Sequence, residues 1–152
     1  MRSGCELHGL GVDLLDGDEV HPSVGEDGVP VLLRDVLQRP SDLPADYYSR
    51  LRGTRTLPML VCEGGWASQP IATVATSQQV QADYIDRHAT LLDSVGAVAC
   101  LQLQFTDIDI TSVPAPVPAN LPLFVSIGLA DTQFGPKPAL SRWDALHSRP
   151  RA

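Results

Sequence analysis

The chain has 152 residues, of which 43% are hydrophobic and 19% charged, and its formal net charge at pH 7 is −7. This length and composition are sufficient for one globular domain with a sizeable core. The acidic balance argues against a nucleic-acid partner, because binding the phosphate backbone requires Lys and Arg. No apolar run approaches the roughly 20 residues of a membrane-spanning helix, and the opening MRSGCELHGL lacks the apolar stretch of a signal peptide. We therefore expect neither a nucleic-acid nor a membrane partner.

The first part of the chain carries little structural information. Residues 1–39 are acidic, are interrupted by Gly and Pro, and contain no periodic stretch long enough to assign. The segment PSDLPADYYSRLRG predicts a helix that Ser41 or Asp42 caps and Gly53 ends. We therefore place a poorly defined segment at 1–39 and the folded domain at 40–148.

The middle of the chain predicts one strand-helix-strand unit. TLPMLVC contains a continuous apolar run, which is typical of a parallel strand covered on both faces, here over residues 58–62. A long helix follows, with Thr76 and Gln79 as a capping box and Gly96 as its C-terminal stop. A second apolar run predicts a strand over residues 98–105. A helix that connects two strands of one sheet makes them parallel, so the predicted fold class is α/β.

The end of the chain predicts a loop followed by a helix. TSVPAPVPANLP contains four prolines, so we expect a stiff loop that is neither helix nor central strand. GPKPALSRWDALHS predicts a closing helix that Pro138 opens, with Leu140 and Trp143 on its buried side.

Acidic side chains follow both predicted strands. Glu63 comes directly after the first strand, and Asp107 and Asp109 follow the second. Ligand sites of parallel α/β folds form at the carboxyl ends of the strands. The two glycines after Glu63 permit a sharp exit of the chain, which would bring Trp66 to the rim, where an indole can stack on a sugar ring. Simpler interpretations stay open: a solvated Glu63, aspartates that cap a turn, and an indole packed beneath a loop.

No pattern in the sequence indicates a metal or a cofactor. The four His residues lack metal-ligand spacing, and we expect His88 on the exposed side or edge of the long helix. Cys62 and Cys100 lie in apolar runs, where a thiol is usually a small buried hydrophobe. The sequence contains neither a phosphate-binding loop nor a G-x-S-x-G nucleophile elbow. We therefore expect no cofactor and no Ser-His-Asp catalysis.

Five segments, taken in order, resemble the C-terminal part of TIM-barrel glycoside hydrolases of the retaining type, in particular the endo-β-1,4-galactanase-like and cellulase-like enzymes. They are DLPADYYSRL, LPMLVCEGGWAS, QQVQADYIDRHATLL, FTDIDI and IGLADTQFGPKPALSRWDAL, within residues 40–146. In those relatives a strand of the type P-h-h-h-x-E-x-G-W, in which h is apolar, is the seventh barrel strand. The resemblance implies a partial (β/α)8 TIM barrel, consisting of the last two or three βα units with parallel strands.

The resemblance also implies roles for individual side chains. Glu63 matches the catalytic nucleophile, Trp66 matches the aromatic that follows it, and Asp107 matches an acid that shapes the sugar subsite. Relatives often carry a Trp in the eighth strand as a sugar platform. This chain has only Gln and Leu there, and Gln102 is the substrate-binding candidate. The implied activity is cleavage of O-glycosidic bonds in a poly- or oligosaccharide through two carboxylates.

The length of the chain and the absence of one catalytic motif determine the activity that we expect. A (β/α)8 barrel takes about 250 residues, so the resemblance implies that the chain is a fragment of one. The acid/base residue of such families follows the fourth strand, usually as Asn-Glu, and the sequence contains no Asn-Glu. We therefore expect the chain to be inactive alone and to self-associate through exposed barrel edges. Two other hypotheses stay open: a non-catalytic α/β binding or assembly module, and a self-contained enzyme that pairs Glu63 with Asp107 or Asp109.

Overall fold

The computed structural model describes residues 38–71 and 74–150. Within these ranges the helices are α1 (Tyr47–Arg52), α2 (Gln78–Ser94) and α3 (Pro138–His147), and the strands are β1 (Leu60–Val61) and β2 (Ala99–Cys100). Short 3-10 turns occur at Pro40–Asp42, Ile110–Ser112 and Leu121–Leu123. The predicted N-terminal segment lies outside the described residues except for its last two positions, so its boundary stays a prediction.

The two strands form a parallel pair, as the sequence predicts. Leu60 lies opposite Ala99 and Val61 lies opposite Cys100, and α2 makes the connection between them. Beyond β2 the chain meets a third stretch, because Thr106 forms a parallel bridge with Ala130. In the described part of the chain the sheet has two regular strands, so the fold is a partial α/β layer and not a closed barrel.

The hydrophobic core lies between the helices and not between the strands. Its buried members come from α2, α3 and the segments beside them: Leu43, Ala82, Tyr84, Ile85, Leu91, Leu129 and Ala139. Each large aliphatic side chain buried in this way stabilises the fold by about 1.5–3 kcal/mol. Leu140 and Trp143 pack against this core while partly buried, which agrees with the predicted inner side of the closing helix.

The helix predicted over residues 40–53 is divided in the structure. A 3-10 turn precedes Leu43, whose backbone is extended with φ −61° and ψ 117°, and α1 begins only at Tyr47. Pro44 explains the break, because a proline disfavours the helical conformation of the residue before it. Gly53 ends α1 with φ 57°, in the left-handed region where glycine replaces other residues.

The start of α2 differs from the predicted capping box. Ser77 is the N-cap, and its hydroxyl oxygen accepts a hydrogen bond from the backbone N–H of Val80 at 3.2 Å. The Thr76 hydroxyl instead donates to the carbonyl oxygen of Ala67 at 2.7 Å. Thr76 therefore fixes the loop between β1 and α2. Gly96 follows the helix with φ 57°, in agreement with the predicted C-terminal stop.

One face of the sheet is exposed, although the sequence predicts strands covered on both faces. The exposed side chains are that of Leu60 in β1 and those of every second residue along β2 and its continuation, namely Ala99, Leu101, Leu103 and Phe105. The opposite face binds a neighbouring segment through side-chain amides. Gln102 donates to the carbonyl oxygen of Ile127, and Gln104 donates to that of Phe124. We call the exposed row the apolar sheet face.

The two thiols differ in exposure. Cys62 is exposed, so the prediction of a buried thiol is wrong there, whereas Cys100 is half-buried. Cys62 directly follows β1, two residues after Leu60 of the apolar sheet face. Among residues 38–71 and 74–150, no helix is both long enough and apolar enough to cross a membrane.

We predict that the apolar sheet face causes concentration-dependent self-association, because exposed contiguous apolar surface favours contacts between copies. Replacing Leu101 and Phe105 together by Ser should move the sedimentation coefficient toward that of the monomer. The matched control replaces Leu57 and Phe134 by Ser. These two residues are 70% and 73% exposed and do not belong to this face. A monomeric wild-type chain at all concentrations would contradict the prediction.

Candidate functional site

Glu63 lies at a distorted strand end. The backbone N–H of Leu101 donates to the carbonyl oxygen of Val61, and that of Leu103 donates to Gly64, both at 2.9 Å. Between these two bonds the β1 side advances by three residues and the β2 side by two. Such a bulge bends the strand and redirects a side chain. Glu63 is half-buried, and its carboxylate makes no hydrogen bond or ion pair within residues 38–71 and 74–150.

The glycines after Glu63 lie in closely packed surroundings. A Cβ atom on Gly64 would lie 3.1 Å from the His88 ring and 3.3 Å from the Tyr84 hydroxyl. A Cβ atom on Gly65 would lie 3.2 Å from the Ile127 side chain. Neither glycine has a positive φ, so the expected use of glycine for an unusual backbone conformation is wrong. The missing side chain of Gly64 instead allows close packing of α2, and that of Gly65 leaves room for the Ile127 side chain.

An aromatic group, formed by the rings of Tyr48, Tyr84 and His88, packs beside the strand end at Gly64. His88 is 2% exposed, so the prediction of an exposed position is wrong. Its Nε2 atom lies 2.8 Å from the Tyr48 hydroxyl oxygen, with which it shares a hydrogen bond. The imidazole stacks on Tyr84 with ring centroids 5.3 Å apart. Burial lowers the pKa of His88 to about 4 and raises the pKa of Tyr84 to about 12, so both rings are neutral at pH 7.

Trp66 belongs to the same aromatic group. Its indole N–H donates to the Thr76 hydroxyl oxygen at 3.1 Å, and its ring lies 5.5 Å from Tyr84 at an interplanar angle of 30°. The residue is half-buried. The surroundings of Trp66 therefore agree with the interpretation of an indole packed beneath a loop. The role of Trp66 as a sugar platform stays a prediction.

Asp107 lies in a buried ion pair at the carboxyl end of the β2 continuation. The Lys137 ammonium group donates to Asp107 Oδ1 at 2.5 Å, and the two side chains are 3% and 8% exposed. The same ammonium donates to the Ser68 hydroxyl at 2.9 Å and to the Gly128 carbonyl at 3.0 Å. The backbone N–H of Gly128 also donates to Asp107 Oδ1, at 3.0 Å. The carboxylate thus joins the loops around it.

The other two candidates also have internal partners. Gln102 donates from Nε2 to the Ile127 carbonyl oxygen at 2.8 Å and is half-buried. Asp109 accepts hydrogen bonds from the backbone N–H and hydroxyl of Thr111, which lower the pKa of this exposed carboxyl group. Asp109 is therefore the cap of a 3-10 turn, one of the simpler interpretations of the sequence.

Sequence reasoning missed the residues that hold this region together. Lys137 is the main one. The sequence feature that could have identified it is a lysine between Pro136 and Pro138 in an otherwise apolar segment. Gln81 is another, since it is 1% exposed and donates from Nε2 to the carbonyl oxygens of Trp66 and Gly128. No group of three or more His, Cys, Asp or Glu side chains suited to a metal ion occurs in the described part of the chain.

The structure is similar to part of two solved glycosidases. The match to a β-glucuronidase from Ruminococcus gnavus has a TM-score of 0.51 and 17% identity and covers 71% of this chain and 19% of that chain. The match to a GH2 β-galacturonidase from Eisenbergiella tayi bound to galacturonate has a TM-score of 0.50 and 19% identity and covers 70% and 21%. No family model and no curated protein sequence matches the chain.

This similarity shows a shared fold. The chain spans about a fifth of the length of each of the two glycosidases. The similarity is one of fold alone, and neither of the two structures is named as a galactanase-like or cellulase-like enzyme.

We predict that the free energy of unfolding falls as the pH drops from about 6.5 to about 4. The folded state holds His88 neutral with a pKa near 4, so the unfolded chain binds the extra proton in this window. The loss attributable to His88 is about 3 kcal/mol at most. Denaturant titrations of wild type and His88→Gln at several pH values measure it. The same pH dependence in both proteins would refute this role of His88.

A second prediction concerns the buried ion pair. Lys137→Met should destabilise the fold by about 3–5 kcal/mol, because it leaves the Asp107 carboxylate buried without its counter-charge. The control is Arg50→Gln, which breaks an exposed pair with Asp46 and should cost at most about 1 kcal/mol. Chemical denaturation compares the two. Equal losses would show that the buried pair does not hold the loops.

Proposed function

We propose that this chain is part of the (β/α)8 catalytic domain of a retaining glycoside hydrolase, with Glu63 as the nucleophile. One observation carries the proposal. Of the three carboxylates that follow the strands, Asp107 and Asp109 accept hydrogen bonds from neighbouring groups, whereas Glu63 has no partner within residues 38–71 and 74–150. A carboxylate at the carboxyl end of a parallel strand that is left free by the protein is available to a ligand.

The chemistry follows from the position of Glu63. Its carboxylate attacks the anomeric carbon, the glycosidic C–O bond breaks, and a second carboxyl group protonates the departing oxygen. Water then hydrolyses the covalent glycosyl ester, and the second group removes the proton of that water. The two carboxyl groups of retaining enzymes lie about 5–5.5 Å apart. Glu63 supplies one of them.

Neither aspartate is suited to be the second group. A general acid must carry a proton that it can give to the leaving oxygen. Asp107 Oδ1 receives hydrogen bonds from the Lys137 ammonium and from the Gly128 N–H, so it acts as an internal acceptor. Hydrogen bonds from Thr111 lower the pKa of Asp109, which favours its ionised form. This disfavours a self-contained pair, and we infer that the acid/base residue lies outside the described residues and that the chain alone is inactive.

The substrate is a carbohydrate, and β-linked uronic acids are the first class to test. The two similar structures are named a β-glucuronidase and a β-galacturonidase. Trp66 would offer an aromatic surface near the sugar. Asp107 and Gln102 would act by shaping the surrounding loops, because both side chains bind protein groups. A non-catalytic module remains the alternative outcome of the experiment.

The test measures hydrolysis of aryl β-glucuronide, β-galacturonide and β-galactoside by the chain and by a version extended upstream in the same reading frame. We expect turnover only from the extended protein. Glu63→Gln should lower that turnover by more than about a thousandfold, because the nucleophile is lost. Asp109→Asn is the matched control at a strand end and should leave it unchanged.

Three results would count against the proposal. Turnover of the extended protein that Glu63→Gln leaves intact would remove Glu63 from the mechanism. Turnover by the short chain that both Glu63→Gln and Asp107→Asn abolish would instead favour a self-contained enzyme. No turnover of any glycoside by the folded extended protein would favour the non-catalytic module.

A further inference from the structure

A cleft of about 320 Å³ lies on the side of α2 that carries Asp83 and Arg87. The 3-10 turn Pro40–Asp42 forms its opposite wall, and apolar groups line it at Pro40, Ala75 and Val80. Val80 belongs to the first turn of α2, at the positive end of the helix dipole, and its backbone N–H donates to the Ser77 hydroxyl oxygen. A cavity of this size is at the lower end of those that bind small molecules.

Arg87 has an unused donor. Its guanidinium group donates from Nη2 to the carbonyl oxygen of Leu43, but its Nε–H is buried and has no hydrogen-bond partner among residues 38–71 and 74–150. A buried donor without an acceptor is unfavourable by about 1–3 kcal/mol. Arg87 also makes no ion pair with the described residues, although its guanidinium can offer five N–H donors.

A second guanidinium lines the same cleft. Arg39 is exposed, and its side chain makes no ion pair within residues 38–71 and 74–150. The facing carboxylate is Asp83, which accepts a hydrogen bond from Gln79 Nε2 at 2.8 Å. Two cationic groups and one carboxylate therefore line the cleft, which leaves an excess of positive charge in a chain whose net charge is −7.

A neighbouring cleft shows the contrast. It lies between α2 and α3 and is lined by Arg142 and Arg149. There the carboxylate of Asp86 lies 3.5 Å from the Arg142 guanidinium, and that of Asp93 lies 2.8 Å from the Arg149 guanidinium. The arginines of that cleft are paired with carboxylates of the protein, whereas those of the first cleft form no ion pair with any residue that the structure describes.

We propose that the cleft between Arg39 and Arg87 binds a small organic oxyanion, a molecule with a carboxylate or phosphate group. The planar guanidinium fork matches both groups and can hold them with two parallel hydrogen bonds. An oxyanion supplies the counter-charge that neither guanidinium group has among the described residues. The organic part of the ligand packs against the apolar wall at Val80. This inference does not depend on the proposed glycosidase function.

The test uses NMR of the arginine Nε–H groups in the whole chain. Phenyl phosphate and benzoate are titrated separately, and sodium chloride at matched ionic strength is the reference. We expect a saturable shift of the Arg87 Nε–H signal with a dissociation constant on the order of 1 mM. The probe that binds more tightly identifies the preferred anionic group.

Variants locate the site. Arg39→Gln and Arg87→Lys should each weaken binding by about tenfold or more, and Arg87→Lys keeps the charge while removing Nε. Arg50→Gln, on the exposed surface of α1, should bind as the wild type does. Arg39 is exposed, so its variant tests the site even if Arg87→Lys affects folding. No saturable shift with either probe, an equal shift with sodium chloride, or undiminished binding by Arg39→Gln would overturn the proposal.

Discussion

The arrangement at the carboxyl ends of the strands depends on the ammonium group of Lys137. It contacts the loop after β1 through Ser68, the continuation of β2 through Asp107, and the loop before α3 through the Gly128 carbonyl. A buried ammonium is tolerated only when a counter-charge and acceptors replace its water. Because its partners come from separate segments, satisfying one lysine fixes the loops that surround the strand ends.

The same interaction distinguishes the two strand-end carboxylates. Asp107 is held by Lys137 and by the Gly128 N–H, while Glu63 lies within the bulge that interrupts the regular ladder. Below Glu63, the stacked rings of Tyr84 and His88 contact Gly64 closely. One strand-end carboxylate therefore holds loops together, while the other has no partner among residues 38–71 and 74–150. That difference is the physical basis for the proposal that Glu63 is the nucleophile.

Local rules predicted the parallel pair, α2 and its end at Gly96, because apolar runs and a C-terminal glycine act on neighbouring residues. They failed where partners lie far apart in the sequence. Lys137 bonds to Ser68 across 69 positions, which no periodicity reveals. His88 was misplaced because a helical stripe does not show how wide the buried face is, and that width depends on Tyr48, 40 positions away. The position of Glu63 after a strand could be predicted, but the sequence could not show that its carboxylate has no partner in the part of the chain that the structure describes.

In the proposed glycosidase interpretation, two features have a common structural cause. They are the exposure of the apolar sheet face and the absence of a partner for the Glu63 carboxylate among the described residues. Parallel strands are normally covered on both faces, yet Leu101 and Phe105 are 53% and 55% exposed. A retaining site likewise needs a second carboxyl group about 5–5.5 Å from the first, and the neighbouring Asp107 is already committed to Lys137. In the proposed glycosidase domain, additional elements packed against this face would bury the apolar row, and the proposed second carboxyl group would come from the same part of that domain. Burial of the apolar row and completion of the proposed pair would then be one packing event.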